Sequence, residues 1–179
     1  MIIGLGYKAR SGKDTVGNHL VENYGFQRLS FADQLKLFCE VNFGMKEKDP
    51  RLLQEVGMNF RQNDPGHWIK KVANIVERSP KEHYVITDVR FKNEFFYIKE
   101  NGGVVWDIQR WIDDENSVFP NVVKRYISDD RPKDHPSEID LDGVEFDLVL
   151  LNCGTKEDLY NWIDIEMSKL QFKKGTSNE

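Results

Sequence analysis

Short apolar runs recur along the chain, and glycine, proline or charged residues bound them. Runs of this length that are rich in valine, isoleucine and aromatic residues are typical of buried strands. The run HYVITDV is the clearest after the first, and it carries an aspartate near its end. We predict strands at 2–5, 26–30, 83–89, 104–108 and 146–151.

Between these runs, apolar residues return every three or four positions, which is the spacing of an amphipathic helix. Gly25 and Gly44 follow two of these segments and are typical helix ends. Thr155, with Asp158 three residues later, predicts the start of the last helix. The predicted helices span 13–24, 31–43, 50–59, 65–77, 93–101 and 156–167.

Strand and helix segments alternate along the whole chain. This alternation predicts an α/β fold with a parallel sheet, helices on both faces and a ligand at the carboxyl ends of the strands. We find no internal repeat and no linker, so residues 1–172 form one predicted domain and 173–179 a polar C-terminal tail. Residues 111–137 have only scattered apolar positions, which predicts a lid segment.

The composition fits one domain and argues against some partners. The chain has 179 residues, of which 39% are hydrophobic and 31% charged, and this fits one compact domain. Its net charge of −5 argues against sequence-independent binding to nucleic acid. No apolar run is long enough for a membrane, and the first run lacks the pattern of a secretory signal, so we expect a cytoplasmic protein. Cys39 and Cys153 have no metal-site spacing, and we predict that both are small buried hydrophobes.

The stretch IGLGYKARSGKDT, residues 3–15, carries the strongest chemical signal. It departs twice from the phosphate-binding pattern G-x-x-x-x-G-K-[ST], because Tyr7 stands at the first glycine position and an aspartate follows the lysine. A strand, a Gly-Lys pair and a helix start still occur in order, and unpaired N–H groups at such a helix start attract phosphate. We predict that ATP is bound by Arg10, Ser11, Gly12, Lys13, Asp14 and Thr15.

The aspartate after the lysine changes the expected metal chemistry. A hydroxyl usually stands there and binds Mg²⁺. Asp14 offers a carboxylate oxygen instead, which Mg²⁺ also accepts, and Thr15 supplies a hydroxyl one position later. Asp88, at the end of a hydrophobic strand, is the second predicted metal ligand, acting through water. The cofactor we expect is therefore Mg²⁺, with ATP as co-substrate.

Further blocks follow the loop in a fixed order: SFADQLK, LLQEVGMNFRQNDPGHWIK, VITDVRFKNEF, HPSE and FDLVLLNCGTKEDL. Together with RSGKDT, they make nearly the whole chain resemble the bacteriophage deoxynucleoside monophosphate kinases. The resemblance implies a three-layer P-loop kinase fold like that of adenylate and guanylate kinases. It also implies transfer of the γ-phosphoryl group of ATP to a deoxynucleoside monophosphate, in the host cytoplasm if the chain is phage-encoded.

The resemblance suggests roles for residues outside the loop as well. Residues 31–78 would form the helices that bind the monophosphate. The residues expected to stabilise the transferring phosphoryl group are Lys13, Arg90, Arg110 and Arg131. The residues expected to bind the substrate are Asp33, Arg61, Trp68, Asp88 and Arg90.

Elementary chemistry favours the same reaction. An acceptor phosphate is largely dianionic at neutral pH, so it needs no general base, but it needs cations from several loops. Arginine suits this task, because its planar fork binds phosphate oxygens in pairs. Arg125 and Arg131, in the predicted lid, either do this or pair with neighbouring aspartates.

Some individual residues have more than one interpretation. Asp33 either caps the following helix or contacts the substrate. Trp68 and Phe60 either stack on a base or belong to the core. His135 is a hinge, a nucleotide contact or a structural residue. Residues 152–155 either line the adenine or form a simple turn.

Two other functions are also compatible with the sequence. A P-loop kinase for another small acceptor, of the phosphomevalonate or dephospho-coenzyme-A type, would need a general base for a hydroxyl, and Asp33 is the candidate. A nucleotide-binding module without turnover is the third hypothesis, motivated by the altered loop. Both a monomer and a homodimer are compatible with the sequence.

Overall fold

The computed structural model describes residues 1–6, 8–113, 123–125 and 134–174, with the backbone alone described at 113 and 123–125. The elements in chain order are β1 (Ile2–Gly6), α1 (Lys13–Tyr24), β2 (Gln27–Leu29), α2 (Asp33–Phe43), α3 (Pro50–Asn63), α4 (His67–Arg78), β3 (Tyr84–Ile86), α5 (Lys92–Glu100), β4 (Val104–Asp113), β5 (Val123–Arg125), α6 (Pro136–Ile139), β6 (Leu148–Asn152) and α7 (Lys156–Lys169).

Five strands form a parallel sheet in the order β2, β3, β1, β4, β6. The first strand lies in the middle, with Ile3 opposite Val85 on one side and Val104 on the other. The predicted parallel sheet flanked by helices is therefore confirmed. Because β1 is central, the loop that follows it opens at the middle of the carboxyl edge, where ligands bind in such sheets.

The two faces of the sheet are covered by different helices. On one face, Val16 of α1 and Ile163 of α7 pack with Leu5. On the other face, Ile98 of α5 packs with Ile86, and α2, α3 and α4 extend the same core. The central strands β1, β3 and β4 supply both cores, since successive side chains point to opposite faces. The helices thus bury the sheet and leave its carboxyl edge to the loops.

Helix ends follow the sequence signals closely. Gly25 and Gly44 end α1 and α2 in the left-handed conformation, with φ of 70° and 66°. Asp49 caps α3 just before its first proline, and Thr155 and Asp158 form the reciprocal cap of α7. The predicted start of the last helix is therefore confirmed.

The predicted lid contains regular structure that the sequence did not indicate. β4 runs through Asp113, well past the predicted end at Ile108, because it pairs with β6 and then, antiparallel, with β5. The short helix α6 was also not predicted. A sequence pattern interrupted by charged residues looked like a loop, but strand pairing overrides that pattern.

Two smaller expectations have different outcomes. Cys39 is buried as predicted, whereas Cys153 is exposed, because it lies in the turn between β6 and α7.

In the part of the chain that the structure describes, no helix is both long enough and apolar enough to cross a membrane.

Candidate active site

The loop between β1 and α1 is closed by contacts within itself. Arg10 and Gly12 both have positive φ, 55° and 106°, and these conformations turn the chain sharply. The Ser11 hydroxyl donates to the Lys8 carbonyl at 3.2 Å. The buried Lys13 ammonium donates to the same carbonyl and lies 3.3 Å from the Ser11 oxygen. The lysine therefore lies over the loop, directly at the N-terminus of α1.

A neighbouring strand fixes the outside of the loop. The Asn152 amide, at the end of β6, donates to the Ser11 carbonyl at 3.0 Å. A Cβ at Gly12 would lie 2.5 Å from that amide nitrogen, so only glycine permits this approach. Asn152 was one of the residues with two interpretations, and its contact with the loop was not foreseen from the sequence.

Asp14 projects from the first turn of α1. Its side chain is 78% exposed and forms an ion pair with Arg28 of β2. The predicted metal ligands Asp14 and Asp88 line the same cleft. Among the described residues, no cluster of three or more acidic, histidine or cysteine side chains forms a preassembled metal site. The sequence did not indicate the arginine partner, because it lies on β2, 14 residues along the chain from Asp14.

Asp88 is bound to the segment that precedes α2. Its carboxylate accepts hydrogen bonds from the Ser30 hydroxyl at 2.7 Å and from the backbone N–H groups of Phe31 and Ala32 at 2.8 and 2.9 Å. The capping interpretation of Asp33 is wrong. Asp33 makes no cap hydrogen bond and pairs with Lys36 on the surface at 3.0 Å, while Asp88 holds the start of the helix.

Arg61 lies in a slot between α3 and α5. Its Nη2 donates to Glu94 Oε1 at 2.8 Å, and its guanidinium carbon lies 4.0 Å from the centre of the Phe91 ring. Burial raises the pKa of Glu94 to about 7; the charge of Asp88 adds to this rise, and Arg61 opposes it. Sequence reasoning missed Glu94, although its position at the start of α5 is typical of a capping acid.

Arg90 is held by a second buried acid. Its Nη1 donates to Glu138 Oε1 at 2.9 Å, and the Glu138 side chain is 9% exposed. Lys8 donates to the backbone carbonyl of Glu138. His135 caps α6 by accepting from the Ser137 N–H at 3.2 Å, which is a structural role, although the residue also lines the cleft.

These parts surround one cleft of about 660 Å³. The phosphate loop forms one wall, and residues from α2, α3 and the β3–α5 connection form the other. The basic side chains that line it are Arg10, Lys13, Arg28, Lys36, Lys48, Arg61 and Arg90. This excess of cations over the acids Asp14, Asp88 and Glu94 suits a polyanionic ligand.

Four predicted site residues do not line this cleft: Thr15, Asp33, Trp68 and Arg110. Arg110 lines a second cavity of about 440 Å³ beside Asn152 and Thr15, on the other side of the phosphate loop. Trp68 is only 3% exposed and donates from Nε1 to the Gly57 carbonyl at 3.4 Å, so it is a core residue and the substrate contact predicted for it is wrong. Arg131, like the side chain of Arg125, lies outside the described residues.

Comparison with known proteins places this chain in a family. No protein-family model matches the chain. A protein of Acanthamoeba polyphaga mimivirus named "Putative deoxynucleotide monophosphate kinase" is 32% identical over 197 aligned positions, which cover 91% of this chain and 94% of that protein.

Two solved kinases have a similar backbone. Dephospho-CoA kinase from Campylobacter jejuni aligns with a TM-score of 0.50 at 14% identity, over 94% of this chain and 96% of that one. Shikimate kinase from Aquifex aeolicus aligns with a TM-score of 0.48 at 15% identity, over 96% and 98%. At such identity the first likeness shows the fold, which is the predicted P-loop kinase fold. The mimivirus protein shows the family: the chain belongs to the deoxynucleotide monophosphate kinase family.

Proposed function

We propose that this protein transfers the γ-phosphoryl group of ATP to a deoxynucleoside monophosphate and releases ADP and the diphosphate. One observation carries the proposal: the phosphate loop shares a single cleft with Arg61 and Arg90, which come from two distant segments of the chain. The name of the mimivirus relative supports the choice of acceptor. The phage origin and the host-cytoplasm location stay predictions from the resemblance.

On the donor side, the loop binds the ATP phosphates. Backbone N–H groups at the start of α1 point toward the phosphates, and the helix dipole favours their negative charge. Lys13 lies at this end and neutralises charge on the β- and γ-phosphates. Arg10, at the tip of the loop, adds a second positive charge.

On the acceptor side, Arg61 and Arg90 bind the phosphate of the monophosphate. Their partners Glu94 and Glu138 fix them at short distances, so each guanidinium enters the reaction already oriented. A dianionic acceptor attacks without losing a proton, and catalysis then depends on placement and charge neutralisation. This set of residues supplies both without a histidine or cysteine nucleophile.

The residues present fit Mg²⁺ bound together with ATP. Asp14 and Asp88 offer the carboxylate oxygens that Mg²⁺ prefers, and both line the cleft. Asp88 already accepts three hydrogen bonds, so Asp14, which is largely exposed, is the more available ligand. When bound, the ion supplies charge neutralisation at the β- and γ-phosphates.

The decisive experiment measures ADP release with Mg·ATP and each of dAMP, dGMP, dCMP and dTMP, with the ribose monophosphates in parallel. We expect turnover with at least one deoxynucleotide, and the panel gives the base preference directly. No turnover with any of them, while ATP still binds, would contradict the proposal.

Asp33→Asn separates this reaction from transfer to a hydroxyl. Asp33 pairs with Lys36 on the surface of α2 and is not among the residues lining the main cleft. We therefore expect kcat to stay within about twofold of the wild type, because a dianionic phosphate acceptor needs no general base. Loss of turnover in this variant, measured with the preferred acceptor, would favour a general base and a hydroxyl acceptor.

A further inference from the structure

Two contacts fix the Arg61 guanidinium, and a glycine makes room for it. Glu94 accepts from Nη2, the Phe91 ring lies against one face at 4.0 Å, and Gly57 leaves room for Nη1. A Cβ at Gly57 would lie 3.2 Å from that nitrogen. A guanidinium has five N–H donors, and this arrangement uses some of them to set its orientation while the residue still lines the cleft.

Glu94 divides its two oxygens between two tasks. Oε1 accepts from Arg61 at 2.8 Å. Oε2 accepts from the backbone N–H groups of Arg90 at 2.8 Å and Phe91 at 3.1 Å, which caps the start of α5. One fully buried carboxyl group therefore connects the two arginine-bearing segments of the acceptor side.

Folding alone does not call for this residue. A buried ion pair costs desolvation that its attraction often fails to offset, and apolar residues of similar size are frequently as stable. The cap could also be made by a neutral acceptor. What only a carboxylate supplies here is a charged partner that keeps an arginine oriented at the edge of the cleft.

We propose that Glu94 is a positioning residue that orients Arg61 toward the acceptor phosphate. This inference rests on the proposed function and adds a residue that does not itself touch substrate. A guanidinium oriented in advance loses less freedom when it binds a phosphate, so the acceptor binds more tightly. The donor nucleotide, bound by the loop, gains nothing from Glu94.

The test compares Glu94→Gln with the wild type. Glutamine keeps one acceptor oxygen for the two backbone N–H groups, and its NH₂ group then faces Arg61, so the cap is retained and the ion pair is lost. At about pH 8, above the raised pKa of Glu94 of about 7, the wild-type carboxyl group is mostly ionised. We expect the KM of the deoxynucleotide at this pH, and its Kd measured by calorimetry without ATP, to rise about tenfold. The KM of ATP should stay within about twofold.

A double-mutant cycle then distinguishes positioning from a general structural role. Arg61→Ala alone should weaken acceptor binding by roughly 100-fold, because two charge-assisted contacts are lost. In that background, Glu94→Gln should change the acceptor Kd by less than about twofold. Asp158→Asn, which alters the equivalent cap of α7, is the matched control and should leave the acceptor Kd unchanged.

The outcomes separate the two proposals. If the wild type neither binds nor phosphorylates any deoxynucleotide, the proposed function fails, and the role of Glu94 fails with it. If the wild type binds its acceptor but Glu94→Gln leaves the Kd unchanged, or raises the KM of both substrates equally, only the role of Glu94 is wrong. Additive effects in the double mutant would also overturn it. If Glu94→Gln does not fold, Glu94→Asp, whose shorter side chain cannot reach both partners, replaces it throughout.

Discussion

The two walls of the cleft are held by different kinds of interaction. On the phosphate-loop side, neighbours along the chain contact one another: Ser11 and Lys13 both bind the Lys8 carbonyl. On the acceptor side, each arginine depends on a buried acid far along the chain, 33 residues away for Arg61 and 48 for Arg90. The loop therefore takes its shape mainly from neighbours in the sequence, with added support from Asn152, whereas both arginines of the acceptor wall are held by acids that only the complete fold brings close.

This difference predicts how each wall responds to substitution. Changes in the loop should affect the donor nucleotide and leave the fold intact, because little of the core depends on the loop. Changes on the acceptor wall should alter stability and acceptor binding together, because the same buried groups serve both. Substitutions on the two walls, and the pH dependence of stability, test that distinction.

Lys13→Ala should lower kcat by about 1000-fold, because it removes a cation from the position where charge develops on the phosphates. The melting temperature should change little. Lys169→Ala, which removes a surface lysine paired with Glu166, is the control and should keep full activity. Substantial turnover in Lys13→Ala would mean that the loop does not bind the reacting phosphates.

Gly12→Ala should raise the KM of ATP by about 10- to 100-fold. The residue has φ of 106°, and the new methyl group would displace the Asn152 amide, so the loop must change shape. Gly25→Ala carries a similar backbone strain at the end of α1 with nothing nearby. It should lower stability without changing the KM of ATP, and equal effects in both variants would show that strain alone is responsible.

The stability of the wild type should fall as the pH rises from about 5 to 7. The folded-state pKa of Glu94 is raised by burial from 4.5 to about 7, so in this window the folded protein holds a proton that the unfolded chain has released. The loss is at most about 1.4 kcal/mol per pH unit. Glu94→Gln should lack this component, so its stability relative to the wild type should improve with pH in urea unfolding. Parallel pH curves for the two proteins would contradict it.

Asp14→Ala should raise the Mg²⁺ concentration needed for half-maximal activity several-fold, because one carboxylate ligand is lost. Arg28→Ala separates this effect from loss of the ion pair, since it removes the partner but keeps the carboxylate. We expect a normal or lower Mg²⁺ requirement in Arg28→Ala. An unchanged requirement in Asp14→Ala would exclude the metal role of this acid.

The same contrast explains how far the sequence could predict the molecule. The sequence was sufficient to predict the loop, its lysine and the glycines that end α1 and α2, because each feature depends on residues a few positions apart. Glu94 was not, because nothing near it in the sequence indicates that Arg61 lies within hydrogen-bonding distance.

The errors have the same origin. Trp68 was assigned to substrate because it stands in a block with the right neighbours, but the core that buries it is built from several helices. A helix cap was one of the two interpretations of Asp33, whereas the acid that holds the start of α2 is Asp88, which follows β3. The extent of β4 also depended on partners that only the assembled sheet provides.

The double duty of Glu94 has a consequence for engineering. A search for heat-resistant variants favours the removal of buried charge, and a fully enclosed carboxyl group between two helices is an obvious target. Replacing it alone with an apolar side chain would leave the Arg61 guanidinium and the two capped N–H groups without their acceptor, which lowers the melting temperature. The same change would release the arginine that we assign to the acceptor, so thermal stability and substrate affinity depend together on a single position.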